Sequence, residues 1–82
     1  MISDARGQQW LTFAESFPGL TTPQPTAVDL VLWVDGRPWG RIEQFYEGHT
    51  VYANDPRGRV GAFDTVDKAK EAIERRVLRI VA

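Results

Sequence analysis

The sequence predicts an α+β domain in which a four-stranded antiparallel meander is flanked by an N-terminal and a C-terminal helix (αββββα). Between residues 28 and 64, short apolar runs alternate with polar residues at the two-residue period of half-buried strands. Clusters of Gly, Asp, Asn and Pro separate these runs as hairpin turns do. The segments on either side space their apolar residues as helices do. The 82 residues, 43% of them hydrophobic, are predicted to form a single domain, 1–82.

The N-terminal segment, residues 1–19, is predicted to be a helix. Its apolar stripe follows the i, i+3, i+4, i+7 spacing and is unusually aromatic, with Trp10, Phe13, Ala14 and Phe17. Pro18 and Gly19 are expected to end it. Residues 20–27, rich in Thr and Pro, are predicted to be an extended connector that can carry the chain from one face of the sheet to the other.

The first hairpin of the sheet, residues 28–64, decides which side chains share a face. Asp35-Gly36 is a strong turn signal. A strict two-residue turn would mix the faces, whereas a bulged turn sets Trp33 opposite Trp39 and keeps the aliphatic residues together. The bulged turn is therefore predicted. Its other pairs are Val31 with Arg41 and Asp29 with Glu43.

This register predicts an aliphatic inner face and an aromatic outer face. The inner set is Val28, Leu30, Leu32, Val34, Ile42, Tyr46, Val51, Ala53, Val60 and Ala62. The outer set is Trp33, Trp39, Arg41, Glu43, Phe45, Tyr52 and Phe63. Residues 65–82 are predicted to form a helix on the inner face, capped by Asp64 or Thr65. Its apolar stripe is Ala69, Ala72, Ile73, Val77 and Ile80.

The position of the N-terminal helix decides whether the outer face is exposed. Because leaving two aromatic stripes in water is unfavourable, this helix is predicted to pack on the outer face, with one helix on each side of the sheet. In the alternative, both helices cover the inner face. The exposed Trp and Tyr side chains, flanked by Arg and Glu, would then form an interface core with a polar rim.

Charge and composition limit the possible functions. Ten Lys and Arg stand against eleven Asp and Glu, for a net charge of −1. The sheet region, residues 28–64, holds four Arg and six acids, so no strong nucleic-acid footprint is expected. The absence of cysteine excludes disulfides and thiolate metal sites. No signal peptide or membrane-spanning run is found, so a cytoplasmic protein without membrane contact is expected.

Residue patterns typical of catalytic or metal sites are missing from the sequence. His49, the single histidine, has no companion ligand or nucleophile at a useful spacing. Asp29, Glu43 and Asp64 are interpreted as solvated carboxylates. The glycines stand singly and form no phosphate-binding loop. We therefore expect no enzymatic activity, no cofactor, and no catalytic or metal-binding residue.

One stretch of the chain carries a family resemblance. Its residues are Arg37-Pro38-Trp39-Gly40, Asp55-Pro56-Arg57, the run from Arg59 to Thr65, and Ala69. With this pattern, residues 37–73 resemble the AP2-type DNA-binding β-sheet module and the related arm-binding domain of tyrosine integrases. The resemblance implies a three-stranded antiparallel sheet packed on a helix, with Arg and Trp of its free face entering the major groove. It implies DNA contacts by Arg37, Trp39, Arg41, Arg57 and Arg59.

The predicted function is noncatalytic binding to another protein, including a second copy of the chain, through the aromatic face. The expected interface residues are Trp33, Trp39, Arg41 and Tyr52, with Arg57 on the adjoining loop. An inhibitor or accessory protein of a phage or another mobile element fits this size and lack of chemistry. Sequence-specific DNA binding through the sheet is the alternative. The negative charge of the sheet region disfavours it, because phosphate neutralisation supplies most nonspecific affinity.

Overall fold

The computed structural model describes residues 7–21 and 25–81, apart from the side chains of residues 78–81. In chain order its elements are β1 (Gln8–Thr12), α1 (Phe13–Ser16), β2 (Thr26–Val34), β3 (Arg37–Phe45), β4 (Val51–Asp55), β5 (Gly58–Phe63) and α2 (Val66–Val81). The five strands form one antiparallel sheet in the order β1-β2-β3-β4-β5. The predicted α+β class and antiparallel meander are confirmed. The predicted strand number is wrong, because the sheet has five strands rather than four.

The fifth strand is β1, and it lies in the segment predicted to be a helix. It pairs antiparallel with β2 along its whole length, from Gln8 opposite Val34 to Thr12 opposite Leu30. The helix prediction is therefore wrong for residues 8–12. With β1 on one side and β3 on the other, the backbone N–H and C=O groups of β2 have hydrogen-bond partners along both edges. A short helix could not provide those partners. Residues 1–6 of the predicted helix and residues 22–24 of the predicted connector lie outside the described residues.

Among residues 7–19 of the predicted N-terminal helix, the structure has one helical turn. It begins at Phe13 because Thr12 and Glu15 form a capping box. The Glu15 N–H donates to the Thr12 hydroxyl over 3.1 Å, and the Thr12 N–H donates to the Glu15 carboxylate over 3.0 Å. The helical spacing of the aromatic residues thus spans a strand and a single helical turn.

The β2–β3 hairpin has the strict two-residue turn rather than the predicted bulged one. Asp35 and Gly36 have φ angles of 50° and 81°, the left-handed values that this tight turn requires. Asp-Gly suits it because both residues tolerate a positive φ. Two of the predicted pairs are nevertheless confirmed, Val31 with Arg41 and Asp29 with Glu43.

A bulge inside the hairpin reconciles the tight turn with these pairs. Leu32 lies opposite Gly40 and Trp33 lies opposite Pro38, so Trp39 is the extra residue. The predicted pairing of Trp33 with Trp39 is therefore wrong. The extra residue restores the alternation of the faces beyond the bulge, which is why the rest of the strand keeps its predicted register.

The inner face carries the aliphatic core, covered by α2. Its buried residues are Leu32, Val34, Ile42, Val51 and Ala53 from the sheet and Ala69, Ile73 and Val77 from α2. The helix is capped by Thr65, as predicted, since the Lys68 N–H donates to the Thr65 hydroxyl over 3.2 Å. α2 approaches β3 so closely that a Cβ on Gly40 would lie 2.5 Å from Cγ2 of Ile73. Glycine is therefore required at this contact.

Four side chains differ from the predicted faces. Trp39, predicted to lie on the outer face, is the extra residue of the bulge and packs against the inner core. Tyr46, predicted to be internal, is 72% exposed just beyond β3. The β4–β5 pairing sets Phe63 opposite Val51 and Ala62 opposite Tyr52. Phe63 therefore packs against the inner core, and Ala62 lies exposed on the outer face. The reason is a bulge in this pairing, which shifts the alternation of β5 by one residue.

Candidate functional site

The outer face of the sheet is partly covered by α1 and the residue that follows it. The ring centroids of Phe17 and Trp33 lie 5.8 Å apart, and those of Phe13 and Phe17 lie 5.3 Å apart. The indole N–H of Trp33 donates to the Ser16 hydroxyl over 2.8 Å. Under this cover Val31 is only 2% exposed. Phe13 and Phe17 therefore lie on the aromatic face, where the packing prediction placed them.

Trp10, the third aromatic residue of the same predicted stripe, lies on the opposite side of the sheet. Trp10 belongs to β1, lies opposite Leu32 of β2 and packs against the inner core. Its indole N–H donates to a carboxylate oxygen of Glu74 over 2.9 Å, and the Lys70 ammonium lies 5.7 Å from its ring centroid. Trp10 thus ties β1 to α2 and takes no part in the outer face.

A charged cluster occupies the middle of the outer face. Arg41 donates from Nε over 2.9 Å and from Nη2 over 2.8 Å to the two oxygens of Asp29, and Glu43 lies 3.3 Å from Nη2. The guanidinium also lies 4.2 Å from the ring centroid of Phe13. The hydrogen bonds to Asp29 hold the pKa of Arg41 above its ordinary value. Arg41 is therefore fixed in one orientation by both a bidentate partner and a ring.

Beside this cluster, an apolar cleft of about 280 Å³ opens between α1 and the β4–β5 turn. Four chain segments line it. Its lining residues are Phe13, Phe17, Val31, Pro38, Trp39, Gly40, Arg41, Asn54, Asp55 and Pro56. We call this set the apolar cleft. Because α1, the start of β3 and the β4–β5 turn all contribute to it, it forms only when the sheet and α1 are both in place.

Asp55 anchors the turn that forms one side of the apolar cleft. Its carboxylate, 4% exposed, accepts from Nε of Arg76 on α2 over 2.8 Å and from the N–H of Arg57 over 2.8 Å. Burial alone would raise the pKa of Asp55. The hydrogen bonds from Arg76 and the backbone, with the Arg76 charge, outweigh burial and hold the pKa below its ordinary value of 3.8. The turn is thereby held to the helix on the other face.

A second aromatic group lies on β3 and β4 of the outer face. The ring centroids of Phe45 and Tyr52 are 6.1 Å apart. The guanidinium of Arg59 stacks 4.4 Å from the Tyr52 centroid and donates to Asn54 over 3.0 Å. Tyr52 and Arg59 therefore face each other and are separate from the apolar cleft.

The structure divides the predicted interface residues into three groups. Trp33 and Arg41 lie beneath α1 and are engaged by Ser16, Phe17, Asp29 and Phe13. Trp39 lines the apolar cleft, and Arg57 follows its Pro56. Tyr52 lies apart with Arg59. Of the residues predicted only for DNA, Arg37 is exposed beside the β2–β3 turn and Arg59 is exposed on β5.

Of the ten residues that line the apolar cleft, the sequence predicts two, Trp39 and Arg41, as site residues. Phe13 and Phe17 were assigned to cover the outer face, not to line an opening in it. In the sequence Asp55 belongs to the Asp55-Pro56-Arg57 motif of the resemblance, and its carboxylate accepts from the backbone two residues on, as aspartates in turns commonly do. Its partner Arg76 is 21 residues away, and nothing local in the sequence indicates that pair.

Other kinds of site find little support within residues 7–21 and 25–81. No group of three or more His, Cys, Asp or Glu side chains there could hold a metal ion. His49 is exposed and shares a shallow depression with Thr50, Phe63 and Asp64. In the same part of the chain, no helix has the length and apolar content needed to cross a bilayer.

The chain was also compared with known proteins. No protein-family model, no curated protein and no solved structure matches it.

Proposed function

We propose that the chain is a small noncatalytic protein-binding module that receives an apolar side chain of its partner in the apolar cleft. One observation carries this proposal. Aromatic and proline residues from three separate segments line an opening on the outer face, where the neighbouring aromatic rings contact one another. Aromatic anchors in a pocket with a polar rim are typical of protein interfaces.

The size of the apolar cleft favours a side chain over a whole small molecule. Its volume of about 280 Å³ lies just below the usual range of roughly 300–1,000 Å³ for ligand sites. Within the described part of the chain, its charged lining groups are Arg41 and Asp55, and both already have partners in the fold. It therefore offers apolar contact and shape, with few free groups to orient a substrate.

Two ion pairs hold the sides of the apolar cleft in place before any partner arrives. Arg41 is fixed by Asp29 on β2, and Asp55 is fixed by Arg76 on α2. A preformed site loses little conformational entropy on binding, which favours affinity. In this proposal Trp39 is the central contact. Trp33 and Arg41 support the site, Arg57 lies at its rim, and Tyr52 is peripheral.

The wider setting belongs to the same proposal. A cytoplasmic inhibitor or accessory protein of a phage or another mobile element would need a rigid binding surface and no chemistry of its own. The partner can be a different protein or a second copy of the chain.

DNA binding through the sheet, which the resemblance to AP2-type and integrase arm modules implies, is the weaker candidate. Arg41 would have to leave Asp29 to reach a base or a phosphate. Arg59 is stacked on Tyr52, and Trp39 lines the apolar cleft. Arg37 and Arg57 alone would neutralise few phosphates.

The proposal is tested by selecting displayed peptides on the immobilised protein and titrating the selected peptides into ¹⁵N-labelled protein. The three tryptophans report separately, since their indole N–H groups lie in different places. We expect the Trp39 indole signal to shift strongly. The Trp10 indole signal should not shift, because the Trp10 indole is hydrogen-bonded to Glu74 on the opposite face of the sheet. A selected peptide that shifts Trp10 but not Trp39 would contradict the proposal.

Substitutions complete this test. Trp39→Ala should weaken binding at least about tenfold, as expected for a central aromatic anchor. Because Trp39 also packs against the core, a second variant is needed. Pro38→Asp places a charge on the exposed side of the apolar cleft and should also weaken binding while the fold is kept. Tyr46→Ala, which removes a 72% exposed aromatic ring outside the cleft, is the matched control and should bind normally.

A further inference from the structure

We infer that β5, an edge strand of the sheet, pairs antiparallel with β5 of a second copy of the chain, so that the two sheets join into one. This surface is separate from the apolar cleft, and the inference does not depend on the proposed function. It rests on the position of β5 in the sheet, on its composition and on the charges at its two ends.

β5 has a neighbouring strand on one side only. It pairs with β4, and within residues 7–21 and 25–81 no strand lies along its other edge. An edge strand presents backbone N–H and C=O groups that can pair with a strand of another chain. Proteins often prevent such pairing with a proline or a lysine in the edge strand, and Gly58–Phe63 contains neither. The edge of β5 is therefore suited to accept a further strand.

The two ends of β5 carry opposite charges. Arg57 directly precedes the strand and Arg59 is its second residue, whereas Asp64 directly follows its last residue. All three residues are exposed. The Arg57 guanidinium forms no ion pair with any residue that the structure describes, and Asp64 pairs with Lys68, which is also exposed. Each copy thus offers a positive start and a negative end to a partner.

Antiparallel pairing makes this pattern complementary to itself. The start of one β5 then lies beside the end of the other, so that opposite charges meet twice, related by the two-fold axis. Parallel pairing would instead place like charges side by side. A second copy matches the pattern by symmetry, and we therefore assign this edge to a second copy rather than to an unrelated strand.

One register pairs all six residues of β5 with the six residues of its partner. In that register Arg59 lies opposite the partner's Ala62, and the next residue outward, Arg57, lies opposite the partner's Asp64. Arg59 and Ala62 are both on the outer face, since they pair with β4 residues of that face. The register therefore joins residues of the same face, as a continuous sheet requires, and the small Ala62 leaves room beside the arginine.

The other edge strand does not show this pattern, and the predicted dimer is weak. β1, Gln8–Thr12, contains no charged residue. Val60 has no partner in the β4–β5 ladder and forms a bulge in the middle of β5. Because two short, bulged strands bury little area, we expect a dissociation constant on the order of 10–100 μM.

The test exchanges the charges at the ends of β5. Sedimentation equilibrium of the wild-type chain should show a monomer–dimer equilibrium that weakens as salt rises, because exposed charges are screened. Asp64→Arg places a positive charge at both ends of β5, and Arg57→Asp places a negative charge at both ends. Each variant alone should dimerise at least about tenfold more weakly than the wild type. An equimolar mixture of the two should restore near wild-type affinity, because the exchanged charges are again opposite across the strands.

A matched pair of variants controls for net charge. Glu71→Arg and Arg75→Asp make the same two charge changes in an exposed ion pair of α2. Each should dimerise as the wild type does, apart from a small general effect, and mixing them should bring no gain. Retention of the wild-type circular dichroism spectrum shows that each variant is folded.

The outcomes separate the inference from the proposed function. A wild-type chain that stays monomeric up to about 1 mM would overturn the inference and leave the proposed function standing, because peptide binding at Trp39 does not require β5 pairing. A dimer that ignores the charge exchange but is lost in Trp39→Ala would place the second copy in the apolar cleft and overturn the inference. Loss of the dimer in both single variants without recovery in the mixture would overturn it as well. Failure to select any peptide that depends on Trp39 would contradict the proposed function alone.

Discussion

The two faces of this sheet are built from different interactions. The inner face is covered by the 16-residue helix α2 and holds a continuous aliphatic core. The outer face is covered by a single turn of helix, α1, and combines aromatic rings with the ion pairs of Arg41. The core residues of the inner face are at most 2% exposed, whereas the outer face carries the apolar cleft.

The difference indicates a division of roles within a very small domain. Aliphatic burial contributes most of the free energy of folding, and here it is concentrated under α2. An outer face stabilised by rings and charges can hold its shape without filling every space. We therefore expect substitutions on the inner face to change global stability, and those on the outer face to change mainly the local cover and the apolar cleft.

The largest expected effect compares two valines of the same strand. Val34 faces the inner core and Val31 faces the outer layer, and each is 2% exposed. Val34→Ala should lower the free energy of unfolding by about 2–3 kcal/mol, because its surroundings between α2 and the sheet cannot collapse into the cavity. The loss for Val31→Ala should be about 1 kcal/mol smaller, because α1, the single helical turn above it, can move into the space left by the smaller side chain. Urea unfolding followed by circular dichroism measures both.

This pair controls for residue type, strand and exposure at once. Equal losses for the two variants would show that the outer layer is as rigid as the inner core, and the proposed division of roles would be wrong. The slope of the urea dependence should be unchanged in both, because a changed slope would indicate an altered unfolded or native state rather than a lost contact.

A second prediction concerns Asp55, which links the two faces through Arg76. At pH 7, Asp55→Asn should lower the free energy of unfolding by about 1–3 kcal/mol, because it leaves polar groups of the turn and α2 without a charged acceptor. The pKa of Asp55 is lowered in the folded state, so the carboxylate stabilises the fold above its ordinary pKa of 3.8. This contribution is lost as the pH falls through the lower, folded-state pKa.

The pH dependence provides the decisive measurement for Asp55. Stability curves for the wild type and Asp55→Asn should be separated at pH 6–7 and should converge as the pH is lowered below the ordinary pKa. A constant separation at all pH values would show that the loss comes from packing alone. Asp64→Asn is the matched control, since Asp64 makes an exposed pair with Lys68 one turn into α2 and should change stability far less.

The sheet could be predicted from the sequence because its signals are local. Alternation and turn residues determined β2 to β5, and the Asp-Gly pair determined the first hairpin. β1 could not be found, because its five residues are followed at once by a helical turn, and the combined spacing imitates a longer helix. The sequence predicts the extra residue of this hairpin in the turn, whereas the structure has it at Trp39 in β3. The two positions cannot be distinguished from the pattern, because either one pairs Val31 with Arg41.

The candidate site was less predictable than the fold. Trp39 and Arg57 were selected for their type and position, and both lie at the apolar cleft or beside it. Phe13 and Phe17 reach it only because α1 lies across β2, a tertiary arrangement that the sequence does not encode locally. The ion pairs that hold the site, Arg41 with Asp29 and Asp55 with Arg76, join residues 12 and 21 positions apart.

The smallest expected effect compares the two helix caps. Thr12 caps α1 on the outer face, and Thr65 caps α2 on the inner face. Thr65→Ala should lower the free energy of unfolding by about 1 kcal/mol, whereas Thr12→Ala should lower it by about 0.5 kcal/mol or less, because a one-turn helix can fray without unfolding the domain.

Hydrogen exchange distinguishes local fraying from global destabilisation in these two cap variants. The Phe17 amide donates to the Phe13 carbonyl over 2.9 Å within the cover of the outer face. In Thr12→Ala its exchange should accelerate while that of the Ala69 amide, bonded to the Thr65 carbonyl, stays near the wild-type rate. Equal acceleration at both amides would mean that α1 unfolds only with the whole domain. The outer cover would then be part of the same cooperative unit as the inner core, and the apolar cleft could not open separately from it.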